Sequence, residues 1–265
     1  MPRRVWVAAA VLGCVGAVGT AGAHELKVFA SRYLAERGEK ATIYLADGHR
    51  TPVDGLVDSK AVERYDLIAP GGEATPLKKE GASLQANEVE LKVDGIYTAV
   101  TSRTPGVVSI VANEDGGRSF KRGTKRELSG AKLDETFHSE QYGKAMIVVG
   151  TPGDEAPGAI GLPVEIVPLD GPSRWKVGQD VRFRVVRNGE PVRFAPIVAR
   201  SMGFKPDDAW NYATETDDAG EFSLRPDRAA VWIVGVEFHR PAPAAHVEDY
   251  DSEWFASTLT FEATP

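Results

Sequence analysis

Cysteine is almost absent: the 265 residues contain one, Cys14, and it lies in an apolar leader. A chain that loses this leader has no disulfide, no thiolate metal ligand and no cysteine nucleophile. Long hydrophobic runs are missing too. The stretch from Val5 to Val18 is broken by Gly13 and Gly16, and Gly19 and Gly22 follow it, so it falls short of the about 20 apolar residues that span a bilayer. Positive charge is sparse, with 31 Lys and Arg against 38 Asp and Glu, and only Lys121 to Arg126 is locally basic. Nucleic-acid binders gather cations on one face, so that class is excluded. There is no Gly-x-Ser-x-Gly elbow, no phosphate-binding Gly-rich loop, no His-Glu-x-x-His and no Gly-x-Gly-x-x-Gly. The chain is therefore read as a non-enzyme.

What is present begins with an export signal. Arg3 and Arg4 precede the apolar run, and Ala21-Gly22-Ala23 supplies the small-x-small pattern that signal peptidase cuts. Residues 1–23 are thus expected to be removed, leaving a soluble periplasmic chain that starts at His24 and has no transmembrane segment. The alternative is lipidation at Cys14 within Val11-Leu12-Gly13-Cys14. Leu at the second position and the apolar residues beyond the cysteine fit that pattern poorly.

The remaining chain reads as all-β. Short runs rich in β-branched and aromatic residues alternate with turn signals every eight to twelve positions, the pattern of antiparallel sandwiches. Predicted strands include Leu26 to Phe29, Lys40 to Ala46, Glu88 to Val93, Gly106 to Ala112, Lys144 to Gly150, Asp180 to Arg187, Val231 to Phe238 and Ser257 to Ala263. Asn188-Gly189 predicts a hairpin turn, and Asp217 to Gly220 a turn rather than a calcium loop. The Pro/Gly-rich stretch from Thr151 to Gly158 is the best linker. It divides an N-terminal β-sandwich over 24–150 from a C-terminal immunoglobulin-like or transthyretin-like sandwich over 159–265.

Five histidines survive the cut: His24, His49, His138, His239 and His246. As a first residue, His24 would offer its α-amine, with a pKa near 8, and its imidazole to one metal ion in a single chelate ring. Nitrogen donors of this kind suit nickel, cobalt, copper or zinc. His49, in the Asp47-Gly48-His49-Arg50 turn, and His138, expected just before the strand Lys144 to Gly150, would complete a metal site of His24, His49 and His138. Glu25 is expected to face solvent, the alternative being an added carboxylate ligand. His239 and His246 fall in a stretch read as a solvated acidic loop. Trp175, Trp210, Trp232 and Trp254 are expected to anchor cores.

The order of Ala23-His24, Gly48-His49, His138 with Tyr142 and Lys144, Pro163 to Leu169 and Thr258 to Phe261 resembles a family of exported proteins associated with bacterial nickel and cobalt uptake. The resemblance spans the mature chain. It implies a periplasmic domain that binds a divalent transition metal at His24, His49 and His138 and presents it to a membrane metal transporter. The alternative is a non-catalytic envelope module for adhesion or assembly, binding protein or polysaccharide.

Overall fold

A computed structural model describes residues 25–48, 51, 53–151, 153–203 and 210–265. The fold is all-β. Helix among the described residues is confined to two 3-10 turns, Ser59–Ala61 and Pro172–Arg174, and no described helix is long and apolar enough to cross a membrane.

The organising element is the strand Leu133–Val149, seventeen residues long. It lies within an eleven-stranded sheet of the described residues. Ser252–Ala263 runs beside it in parallel through nine residue pairs, from Phe137 against Ser252 to Ala145 against Thr260. Ser252–Ala263 in turn pairs along its whole length with Ala230–Pro241. On the other side, Gly106–Ala112 pairs with the first half of the long strand and Gly95–Arg103 with the second. Strands from both halves of the chain therefore share one sheet. Among the described residues between Val149 and Val164, where the expected linker lies, there is no strand.

Alternation along the long strand divides two cores, because successive side chains point to opposite faces. Ala145, Ile147 and Val149 pack with Leu26, Val28, Ile43 and Leu45 of a three-stranded sheet, Leu26–Ala30, Lys40–Asp47 and Ala86–Glu90. Tyr142 and Met146 face the other way, onto Ile166, Phe183 and Val185 of a four-stranded sheet built from Val164–Pro168, Val181–Arg187, Glu190–Pro191 and Glu221–Leu224. The result is three stacked β-layers with the shared sheet in the middle.

Lys144 also points to the second face. Its ammonium lies 2.6 Å from the Glu165 carboxylate, and both side chains are fully buried. Glu165 also accepts N–H bonds from Ile160 at 2.9 Å, Gly161 at 3.0 Å and Leu162 at 3.2 Å. One carboxylate thereby ties the strandless segment to the central sheet. Burial pushes the Lys144 pKa below its ordinary value, against the opposing pull of Glu165.

Several expected elements occur as read. Asn188 and Gly189 take φ of 51° and 84°, the left-handed pair of a tight hairpin between Val181–Arg187 and Glu190–Pro191. Asp217 accepts from the N–H groups of Ala219 and Glu221, both at 2.8 Å, closing the expected turn. Three strands are longer than expected by four residues or more, Ala230–Pro241 among them. Lys144 to Gly150 is only the end of Leu133–Val149, and Ser257 to Ala263 only the end of Ser252–Ala263. The added residues mix apolar side chains such as Phe137, Tyr142, Trp254 and Phe255 with polar ones such as Glu135, Ser139, Glu140 and Glu253, so alternation is weak there, and the neighbouring ladders hold them extended.

Candidate functional site

The strands Leu26–Ala30 and Lys40–Asp47 form an antiparallel ladder whose last paired residues are Leu26 and Asp47. One step further, the Gly48 N–H donates to the Glu25 carbonyl at 3.2 Å. The two chain segments leave the ladder side by side, one at Glu25 and one at Gly48. His24 and His49, the next residue on each, lie outside the described residues.

The Glu25–Gly48 end is held by buried polar contacts. Lys27 is 1 % exposed; its ammonium lies 3.1 Å from the Glu25 carboxylate and donates to the Gly48 carbonyl. A buried ammonium needs such partners, since desolvation without them is costly. Glu25 is thus largely buried against Lys27, which corrects the expectation that it faces solvent. Asp47 is held from the other side by Arg103, at 2.8 Å. Below, the Leu26 N–H donates to Gln141 Oε1 at 3.1 Å, and the Leu26 carbonyl accepts from Thr258 at 3.3 Å. This end of the ladder therefore sits on the face of the long strand that carries Gln141.

His138 is placed differently from its expected position. It lies inside Leu133–Val149, opposite Val107 on one side and Glu253 on the other, not at a strand end. Its parity is that of Glu140 and Tyr142, so it stands on the opposite face from Gln141. Its Nδ1 is buried with no hydrogen-bond partner. The nearest carboxylate oxygen, on Glu140, is 3.8 Å away, beyond hydrogen-bond reach. Glu140 instead accepts from the Tyr142 hydroxyl at 2.7 Å. The imidazole leans on Tyr250 at 5.7 Å between ring centroids, and His246 stacks on Tyr250 at 5.5 Å.

His239 lies in Ala230–Pro241 rather than in a loop, with Nε2 3.7 Å from Glu237 Oε1. His246 does lie in the turn between the last two strands, with Nδ1 3.7 Å from Asp249. Among the described residues no three His, Cys, Asp or Glu side chains converge as a metal site. Three tryptophans, Trp175, Trp232 and Trp254, are buried as expected. Trp210 instead lies under the Arg200 guanidinium at 4.7 Å.

A family model described as a domain of unknown function, DUF4198, matches residues 21–240. The chain belongs to the DUF4198 family. No curated protein matches the sequence. Among solved structures, the three N-terminal domains of the highly immunogenic outer capsid protein of bacteriophage RB49 are 10% identical with a TM-score of 0.22, over 91% of this chain and 59% of that one. This DUF4198 chain thus spans under two thirds of that three-domain chain. A marsupial T cell receptor is 8% identical with a TM-score of 0.21, over 89% and 73% of the two chains. The D00-D0 domain of intimin is 11% identical with a TM-score of 0.19, over 89% and 98%. None of these TM-scores carries an argument about function.

Proposed function

We propose that this DUF4198 protein is an exported binder of a divalent transition metal, nickel or cobalt before copper or zinc, which serves metal uptake by presenting its cargo to a membrane transporter. The donors are the α-amine and imidazole of His24, freed by cleavage after Ala23, and the imidazole of His49. One observation carries this: the hydrogen bond from Gly48 to Glu25, which joins the immediate neighbours of the two histidines at the end of a ladder. Rigid strands that hold the neighbours of two donors together give the support a pre-organised metal site requires. The resemblance to the nickel- and cobalt-uptake family supplies the choice of metal and the transporter.

His138 was expected as a third ligand. Its place on the far face of the long strand argues for a supporting role in the Tyr250 contact instead. Remaining coordination would fall to water, leaving the openness needed for release.

The test is calorimetric titration of mature protein beginning at His24 with nickel, cobalt, copper and zinc salts at neutral pH. One equivalent should bind. Affinity should fall about tenfold or more in His49→Ala, and likewise when Ala23 is retained ahead of His24, because the amide replaces the amine. His138→Ala should stay within about twofold of wild type. Binding that survives both retention of Ala23 and loss of His49 removes the proposed site.

A further inference from the structure

The central sheet extends beyond the area covered by the three-stranded sheet. Where that cover stops, next to Asp47, a cavity of about 300 Å³ opens on the Gln141 face. Its floor is apolar: Val108, Phe137 and Trp254 come from adjacent strands of the sheet, and Phe120, on the strand next to that of Val108, stands at its mouth. Phe137 and Trp254 meet edge to face at 5.9 Å and are almost wholly buried, whereas Phe120 is 54 % exposed. An aromatic ring left this open at the mouth of an apolar cavity is poised to cover a guest.

The rim is cationic in an acidic protein. Arg103, Lys121 and Arg122 line the cavity, against one carboxylate, Asp47. Asp47 is engaged by Arg103 Nη2 at 2.8 Å. Among the described residues Lys121 and Arg122 have no carboxylate partner, and Arg122 spends one N–H on the Thr104 carbonyl at 2.8 Å. Arg103 Nε is buried with no hydrogen-bond partner. Gln141 commits its Oε1 to the Leu26 N–H, which leaves its amide N–H groups for a ligand. Every uncommitted polar group named here donates. The complement is an acceptor-rich anion joined to an apolar body.

From this geometry we propose that the cavity binds a small organic carboxylate with an apolar body. At about 30 Å³ per liquid water the volume admits roughly ten heavy atoms. The carboxylate lies among Arg103, Lys121 and Arg122, and the apolar body lies on Phe137 and Trp254 beneath Phe120.

The experiment uses mature protein in EDTA, so that its result is independent of metal binding. The chain is titrated with 3-phenylpropionate, with 3-phenylpropanol as the neutral analogue and acetate as the bare anion, following amide shifts by NMR. The acid should saturate, and bind about tenfold or more tightly than either control. Its affinity should fall as salt is raised, since the rim is exposed and screened. Lys121→Met combined with Arg122→Met should weaken it about tenfold, and Phe120→Ala should weaken both phenyl compounds. These side chains are exposed, and circular dichroism checks that the variants fold. Absence of saturable binding, equal affinity for acid and alcohol, or salt-independent binding to the wild-type chain overturns the proposal.

Discussion

Replacing Lys144 by methionine tests whether one buried ion pair holds the strandless segment to the central sheet. The substitution keeps the length and apolar stem of the side chain but removes the ammonium 2.6 Å from Glu165. Glu165 then remains a buried carboxylate with the N–H groups of Ile160, Gly161 and Leu162 as partners but no counter-charge. Breaking a buried pair from one side costs about 3–5 kcal/mol. At about 2–4 °C per kcal/mol for a chain of this size, the melting temperature should fall by roughly 6–20 °C. Adding Glu165→Gln removes the stranded charge while keeping an oxygen to accept from the three N–H groups. The double variant should therefore recover to within about 2 kcal/mol of wild type, a strong non-additivity. Urea unfolding followed by tryptophan fluorescence and by circular dichroism measures all three proteins. A single-variant cost below about 1 kcal/mol, or additive costs in the double variant, would refute the view that these groups act as a charge pair.

Because strands of both halves share one sheet, the mature chain should unfold in a single calorimetric transition; two separated transitions would show that the halves are independent. A fragment ending near Gly150 should expose the apolar side chains of Tyr142 and Met146, bind a hydrophobic dye and fail to melt cooperatively. Metal affinity should decline as pH falls through about 6.5, where the imidazoles protonate and lose their lone pairs. Calorimetry at pH 7.5 and 5.5 checks this, and equal affinity at both would exclude imidazole ligation. Asn188→Ala should cost about 1 kcal/mol, because a Cβ without a compensating side-chain bond is placed at φ of 51°, while Asn188→Gly should be near neutral. Thermal melts distinguish the two.

Strands whose two faces differ in polarity were legible in the residue order. Val181–Arg187 differs by one residue from its expected bounds, because alternation of apolar and polar side chains records which face is buried. Gly106–Ala112 has the expected bounds through its β-branched run instead, since Val107, Val108, Ile110 and Val111 place apolar side chains on both faces. The first eleven residues of Leu133–Val149 were not legible, since Asp134, Glu135, His138, Ser139 and Glu140 interrupt both faces. Their strand exists because Gly106–Ala112 and Ser252–Ala263 supply hydrogen bonds on either side. Glu25 was misjudged for a related reason: a carboxylate next to a predicted strand looks solvated until its buried partner, Lys27, is seen.

By itself the sequence determined the strand-rich composition, the turn chemistry of Asn188-Gly189 and Asp217 to Gly220, the burial of three tryptophans and the identity of every possible imidazole donor. These are local matters, decided by backbone preference and by the contrast between one residue and the next. Only the tertiary structure decided that Ser252–Ala263 returns to lie parallel to Leu133–Val149, and so that both halves share a sheet. It alone set the parity that turns His138 away from Gln141, the meeting of Glu25 with Gly48, and the gathering of Arg103, Lys121 and Arg122 around an apolar floor. Each of these depends on which distant strands pair and in what register. A shift of one residue in that pairing would turn every side chain to the other face.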